Sequence, residues 1–525
     1  MDEFKTPCDE IVLGKRAFDE KPAPPPRLNE WVSAARTHRP HKQGEPVKIR
    51  RDLLRTSHIF CRGRTRCGKT ATTVLPVYRQ ALRPCTVAWQ TADGQQCERT
   101  DRSAIIVIDL KGEKSFLNSC KRMAEQAGRD FKFLTTDPER TWSFNPMSSF
   151  RGDIQDAPRA GTGLLTAMQL DLGGGYGAAY FTTQTLALLY EVCTHLSLIK
   201  LSGRQPTIDD AIRYVKKNAR AAPKDSDQLI SILTLLSFYP QLQPAVDDPF
   251  VIDFKEAIAR RQVVMVSVDA LNQGPMARLF AGLALHATLS AATAIAHERE
   301  GDPSPGPHTL CIIDEFHHIV GKSLRDLLTG SAGVGLTFAL SCQTSETLKQ
   351  RFMDLNDTVR DNCAVKIYHT AYGDDIDELQ SYSRETIRPL GSRKVDADIR
   401  FFGLQALAPE TETDRIERQL TVREIQEVSA TPNRCFVLLD DEIEPIPTDT
   451  FFAESYAEHL ASAAAPIPKS PSTRLAQPEA AETAGSPQPR PHWLAAHLSS
   501  EKSPVHAARL ERLGRLLKSL KSELA

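Results

Sequence analysis

Eight consecutive residues, Gly63-Arg64-Thr65-Arg66-Cys67-Gly68-Lys69-Thr70, match the pattern G-x-x-x-x-G-K-[ST] without a mismatch. The chemistry served by such a run is capture of a polyphosphate. The glycines permit a tight curl, so that backbone N–H groups close round a β-phosphate at a helix N-terminus. Lys69 then reaches the β- and γ-phosphates, and the Thr70 hydroxyl is placed for Mg²⁺. The context agrees: strand-like His58-Ile59-Phe60 precedes the run, and Ala71 to Leu82 follows with helical character. Residues Gly63 to Thr70 are therefore expected to bind ATP with Mg²⁺.

Hydrolysis needs carboxylates on a neighbouring strand, and the apolar run Leu310-Cys311-Ile312-Ile313 ends in Asp314-Glu315. Asp314 is expected to hold Mg²⁺ through water, and Glu315 to polarise the attacking water as general base. Such a pair favours ATP hydrolysis over a nucleotide switch or a small-molecule kinase. Gln343, at the end of strand-like Leu336 to Cys342, suits a reader of the γ-phosphate. The expected catalytic set is Lys69, Glu315 and Gln343. Arg278, Arg325, Arg351 and Arg360 are all candidates for an arginine finger, and spacing selects none of them.

Three other groups have chemical potential. Lys48, Arg50, Arg51, Arg55, Arg62, Arg64 and Arg66 face only Asp52; such a run either holds nucleic-acid phosphates or solvates the surface and contacts ATP. His317-His318 cannot turn both rings to one ion from a regular helix, so packing or surface exposure is expected. Cys67 lies near Lys69 and a helix N-terminus, which predicts a lowered thiol pKa.

The elements that must position these residues follow from periodicity. Short apolar runs at 57–61, 104–109, 131–137, 263–269, 309–314, 336–343, 364–369 and 435–440 have the length of strands buried on both faces. Helical stretches separate several of them, which predicts an α/β fold with a mostly parallel sheet. Between 153 and 249 β-branched runs disappear and Leu, Ala and Tyr recur at helical spacing, as in an all-α insertion. Leu279 to His297 is apolar but rich in Ala, Ser and Thr and carries His286, so a buried helix is expected and no integral membrane segment. The predicted organisation is an N-terminal arm (1–46), a nucleotide-binding domain in two parts (47–152 and 250–460), the insertion (153–249), a disordered Ala/Pro/Ser linker (461–504) and a basic amphipathic helix (505–525). In that last helix Leu510, Leu513, Leu517, Leu520 and Leu524 form one seam.

Composition fits a folded chain of several domains: 525 residues, 41% hydrophobic and 25% charged. Lys and Arg (65) nearly cancel Asp and Glu (66), so a nucleic-acid partner would have to be held by a local patch. Eleven cysteines without a CxxC pair argue against a zinc site or a disulfide scaffold and fit a reducing cytosol.

Several short motifs together resemble the TraG/TraD-type coupling ATPases of type IV secretion and conjugation, within the FtsK/HerA class of P-loop motors. Ile11-Val12-Leu13-Gly14-Lys15 looks like the Leu-Gly-Lys/Arg entry segment, and Val74-Leu75-Pro76 like the Ile-Pro after the P-loop. Ile108-Asp109-Leu110-Lys111-Gly112-Glu113 is similar to Asp-Pro-Lys-Gly-Glu with Leu110 for the proline, and Phe144-Asn145-Pro146-Met147 to Phe-Asn-Pro-Leu. Asp314-Glu315-Phe316 and Gln343, 29 residues after Asp314, follow in the family's order. Two features depart from it: no N-terminal transmembrane helix is present, and Ser331 to Gly335 replace a basic pair found in some members.

The resemblance implies a RecA-like motor, a homo-hexamer, that moves single- or double-stranded DNA, a relaxase or another secreted substrate into type IV secretion channel components. It implies a cytoplasmic location with peripheral contact at the inner membrane. Two alternatives stand beside it: a cytosolic FtsK/HerA-like DNA translocase in DNA processing or defence, and a nucleotide-dependent adaptor without turnover.

Overall fold

The computed structural model describes residues 8–19, 42–137, 141–149, 157–168, 170, 178–218, 223–245, 248–319, 321–350, 353–383, 385–390, 413–418, 420–440 and 444–466. The chain begins with β1 (Glu10–Arg16), β2 (Pro46–Arg50), α1 (Leu53–Thr56) and β3 (His58–Arg62). After the 63–69 loop come α2 (Leu75–Ala81), the hairpin β4 (Cys85–Gln90) and β5 (Gln96–Asp101), β6 (Ala104–Asp109), α3 (Lys114–Gln126) and β7 (Phe131–Thr135). Helices α4 (Ala157–Ala167), α5 (Ala178–Leu201), α6 (Ile208–Asn218), α7 (Pro223–Ser237) and α8 (Phe254–Ala259) intervene before β8 (Val263–Ser267), α9 (Gly274–Glu298) and β9 (Thr309–Asp314). Then follow α10 (Lys322–Gly330), β10 (Leu336–Cys342), β11 (Lys349–Gln350), β12 (Met353–Asp354), α11 (Asn356–Asn362), β13 (Cys363–Tyr368) and α12 (Asp374–Ser381). The last elements are β14 (Glu385–Leu390), β15 (Thr413–Arg418), α13 (Val422–Ala430), β16 (Arg434–Leu439), β17 (Ile446–Thr450) and α14 (Tyr456–Ala464).

Eleven strands form one sheet in the order β2-β1-β17-β16-β13-β3-β10-β9-β6-β8-β7. From β13 to β7 every pairing is parallel; from β13 outward to β2 every pairing is antiparallel. The parallel strands are buried almost throughout and mostly apolar because both faces are covered. Along β6, Ile106 and Ile108 enter the core that continues into α4–α9, while Ile105 and Val107 enter the core under α2 and α3. β9 divides its residues in the same way, with Cys311 and Ile313 on one side and Leu310 and Ile312 on the other. This is the period-two alternation of a strand read by two helical layers. The fold is the expected α/β RecA-like arrangement, with the helices of 157–237 inserted between β7 and β8.

Two stretches differ in detail from the sequence reading, and a third, α9, agrees with it. Within the expected N-terminal arm, Glu10–Arg16 is a sheet strand: Ile11 and Leu13 are buried, and a Cβ on Gly14 would lie 2.5 Å from the Asp449 carbonyl oxygen. Residues 20–41 lie outside the described residues. The apolar helix α9 has the length and composition of a membrane span, yet 67% of its most apolar window is buried among α4, α8 and the sheet. At the other end α14 runs through Ala464, past the boundary expected at 461. The rest of the linker from 467 and the 505–525 helix lie outside the described residues.

α14 is fastened to α3. Glu454, just before it, accepts from Ser119 Oγ (2.8 Å) and pairs with Arg122, which also reaches Glu458 at 3.2 Å. Asn118 Nδ2 donates to the carbonyls of Ser462 (2.9 Å) and Ala465 (3.1 Å). The Ser455–Glu458 capping box starts the helix.

Candidate functional site

The loop 63–69 leaves β3 at the carboxyl end of the parallel strands, where α/β folds gather ligands. It is fixed from two sides. Gly63 N donates to the Cys342 carbonyl at the end of β10 (3.3 Å), and Arg64 N donates to Thr370 Oγ1 beyond β13 (2.8 Å). Gly63 has no room for a side chain: a Cβ would sit 2.7 Å from His369 Cβ and 2.8 Å from Cys67 Sγ. Gly68 has φ +98° and Arg66 φ +65°, the left-handed turns that bring successive N–H groups to one side. Arg64, Thr65 and Arg66 are exposed, whereas Lys69 is buried.

The segment after the loop is one turn of π-helix, Thr70–Val74, before α2 begins. Pro76 has no N–H to give to the Thr72 carbonyl, and Leu75 N reaches back to Thr70 O. This wider first turn is the local consequence of the proline. Thr73 is tied to His369 Nε2 (2.8 Å), joining the turn to the end of β13.

The acidic pair was expected on the strand beside β3. The sheet instead places β10 between β3 and β9, and Gln343 follows the end of that intervening strand. The groups still meet, because loops at strand ends lean across one strand spacing of about 5 Å. Thr70 Oγ1 donates to Asp314 Oδ2 at 2.9 Å. Lys69 Nζ donates to the carbonyls of Gly63 and Arg64 and lies 3.8 Å from Glu315 Oε1. Asp314 and Glu315 are each 1% exposed, and Glu315 has φ +57°. A left-handed glutamate is costly backbone, held here by its surroundings.

Lys111 was read only as part of a motif, yet it belongs to the same cluster. Its Nζ lies 3.0 Å from Glu315 Oε1 and 3.8 Å from Asp314 Oδ2. Burial works against its charge, but Asp314 and Glu315 more than offset this and hold its pKa above the usual value. Burial would likewise raise Glu315; Lys111 and Lys69 outweigh it and keep that carboxyl below its ordinary value. Asp109, fully buried, is pushed up to about 7 by burial and by Asp314, its register partner across β6 and β9. The signal for Lys111 was present in the order Asp109-x-Lys111-Gly112-Glu113, but its target lies in a distant part of the chain.

His317 Nδ1 stands 3.2 Å from Glu315 Oε2, and burial and then His318 push its pKa down to about 4, so the ring is neutral at pH 7. For Cys67 the expected lowering is reversed: burial pushes the thiol up by more than Lys69 pulls it down. The basic run 48–66 is divided: Arg51 and Arg62 are spent on buried contacts, whereas Lys48, Arg50, Arg64 and Arg66 are exposed. Arg51 is buried against the carbonyls of Gln80 and Arg83, Arg62 pairs with Asp375 (3.1 Å) and Glu378 (2.8 Å), and Lys48 pairs with Glu10 (2.6 Å). Among the finger candidates, Arg325 lies 3.5 Å from Asp326 and Arg360 lies 2.8 Å from Asp357, while Arg351 is outside the described residues.

Comparison with known proteins follows the same lines. Residues 308–407 match the family model described as the TraM recognition site of TraD and TraG. The unbound bacterial conjugative coupling protein TrwB superposes with a TM-score of 0.55 at 15% identity, covering 81% of this chain and 90% of that one. TrwB in complex with ADP and Mg²⁺ gives a TM-score of 0.52 at 15% identity, covering 78% and 88%. At such identity the likeness is one of fold. No curated protein sequence matches the chain. The chain thus has the fold of a conjugative coupling protein and carries, at 308–407, a segment similar to the TraM recognition site of TraD and TraG, the type its sequence motifs resemble.

Proposed function

We propose that this protein is an ATP-hydrolysing motor that couples DNA, or a DNA-linked protein such as a relaxase, to a type IV secretion or conjugation channel and drives its translocation. The observation that carries the reading is the 2.9 Å contact of Thr70 Oγ1 with Asp314, with Lys69 and Glu315 beside it. Residues 63–70 would cradle the phosphates through backbone N–H groups, with Lys69 on the β- and γ-phosphates.

The residues also fit Mg²⁺. Thr70 offers a hydroxyl, and Asp314 Oδ1 is buried without a hydrogen-bond partner, a hard-oxygen set suited to that ion. The ion would neutralise charge on the transferred phosphoryl group. Glu315, ionised and shielded from bulk water, is the general base, and Gln343, just past the end of β10, would read the γ-phosphate. TrwB solved with ADP and Mg²⁺ supports the same ligands here.

The segment shared with TraD and TraG favours a secretion partner over a purely cytosolic DNA translocase or a turnover-free adaptor. A homo-hexameric ring, cytoplasmic and peripheral at the inner membrane, belongs to this reading. The test is ATP turnover with and without DNA in wild type and Glu315→Gln. Turnover stimulated by DNA and reduced on the order of 10²–10⁴-fold in the variant is expected. Equal, negligible rates in both proteins would support the adaptor instead.

A further inference from the structure

Asp109, Asp314 and Glu315 crowd the carboxyl ends of two paired strands, and two lysines answer them. Lys69 is divided, since its ammonium already donates to two carbonyls of its own loop and stands 3.8 Å from Glu315. Lys111 is closer, at 3.0 Å. Among the described residues the groups nearest the Glu315 oxygens are Lys111 Nζ, His317 Nδ1 (3.2 Å) and Lys69 Nζ, so ion pairs with the two lysines are the main restraint on this buried carboxylate.

The placement of Lys111 does not depend on its own side chain. The Asp109 carboxylate accepts from Lys111 N (3.0 Å), Glu113 N (2.9 Å) and Ser267 Oγ (3.0 Å). Ala270 N donates to the Leu110 carbonyl (2.9 Å). Gly112 has φ +64°, and a Cβ there would lie 3.1 Å from Asp269 N. The loop is thus built by its backbone, and the ammonium is carried to the acidic pair as its free end, with the side chain 30% exposed.

We propose that Lys111 is a positioning residue that fixes the Glu315 carboxylate for its work on the attacking water. The inference rests on the ATPase reading above. A buried carboxylate deprived of its nearest cation turns about its side-chain torsions, and a misplacement of about 1 Å is enough to cost on the order of 10²-fold in rate.

The test uses Lys111→Ala and Lys111→Arg in the full chain, with ATP turnover over a range of ATP concentrations and ADP affinity by displacement of a fluorescent nucleotide. For Lys111→Ala kcat is expected to fall on the order of 10²-fold, while KM and ADP affinity stay within about threefold. Lys111→Arg should recover most of the rate, since its guanidinium spans the same gap. Thermal unfolding of Lys111→Ala and Glu315→Gln, singly and combined, gives a second readout: a direct pair makes the two Tm shifts non-additive. Unchanged kcat in Lys111→Ala, equal losses of kcat and ADP affinity, or additive Tm shifts would each overturn the proposal. Wild-type protein without ATP turnover would instead defeat the reading beneath it.

Discussion

Two loops bring a lysine to the same carboxylate, and they are made differently. The 63–69 loop is shaped by close approach and left-handed turns: Gly63 against His369, Gly68 and Arg66 at positive φ. Gly63 N and Arg64 N tie it to the ends of the flanking strands, and its lysine folds back on the loop's own carbonyls. The 110–113 loop is shaped by a buried acid, with Asp109 consuming the N–H groups of Lys111 and Glu113. The first has the shape the proposed function needs to receive an anion, and the second is a strut. The difference lies in where the backbone donors go: in the first loop they reach out to neighbouring strand ends, and in the second they close on one buried carboxylate.

This contrast breaks most visibly at Lys69. Lys69→Ala is expected to lower ATP turnover on the order of 10²–10³-fold and to weaken nucleotide binding with little change in Tm. A variant that lost its fold instead would make the receptacle a structural brace. Asp109→Ala should act in the opposite sense, on stability first. It strands two part-buried N–H groups and the buried Ser267 hydroxyl, so a loss of about 1–3 kcal/mol in urea unfolding is expected. An undiminished unfolding free energy would remove the strut from the description. The smallest effect is expected away from both loops. Lys48→Ala breaks an exposed pair with Glu10, so stability should change by less than about 1 kcal/mol and turnover not at all. A large drop in turnover there would mean that the basic run contributes to the site after all.

How much of this was legible in the sequence depended on whether the information was local. The phosphate loop is contiguous, and its glycines answer to steric demands that any copy of the motif meets, so Gly63 to Thr70 could be read directly. The strand ending in Asp314-Glu315 was visible as an apolar run, and the parallel α/β fold as a series of such runs. The order of strands was not visible: nothing in β9 says that β10 separates it from β3. The basic run misled for a related reason. Arg51 and Arg62 read as surface charges until the fold supplies the carbonyls of Gln80 and Arg83 and the acids Asp375 and Glu378. Cys67 shows the limit of a local argument about charge, since Lys69 and the helix terminus were in view but the burial that dominates was not. Lys111 was read by order within a motif, whereas its ion pair with Glu315 exists only once β6 and β9 lie side by side.

The clasp between α14 and α3 determines where mechanical load enters the molecule. Tension on the chain beyond Pro466 is borne in part by the bonds from Asn118, Ser119 and Arg122, on the helix whose first residue, Lys114, follows the strut directly. A pull arriving at Pro466 is therefore shared between the foundation of Lys111, through these bonds, and strand β17, through the short connection from Thr450 to Tyr456.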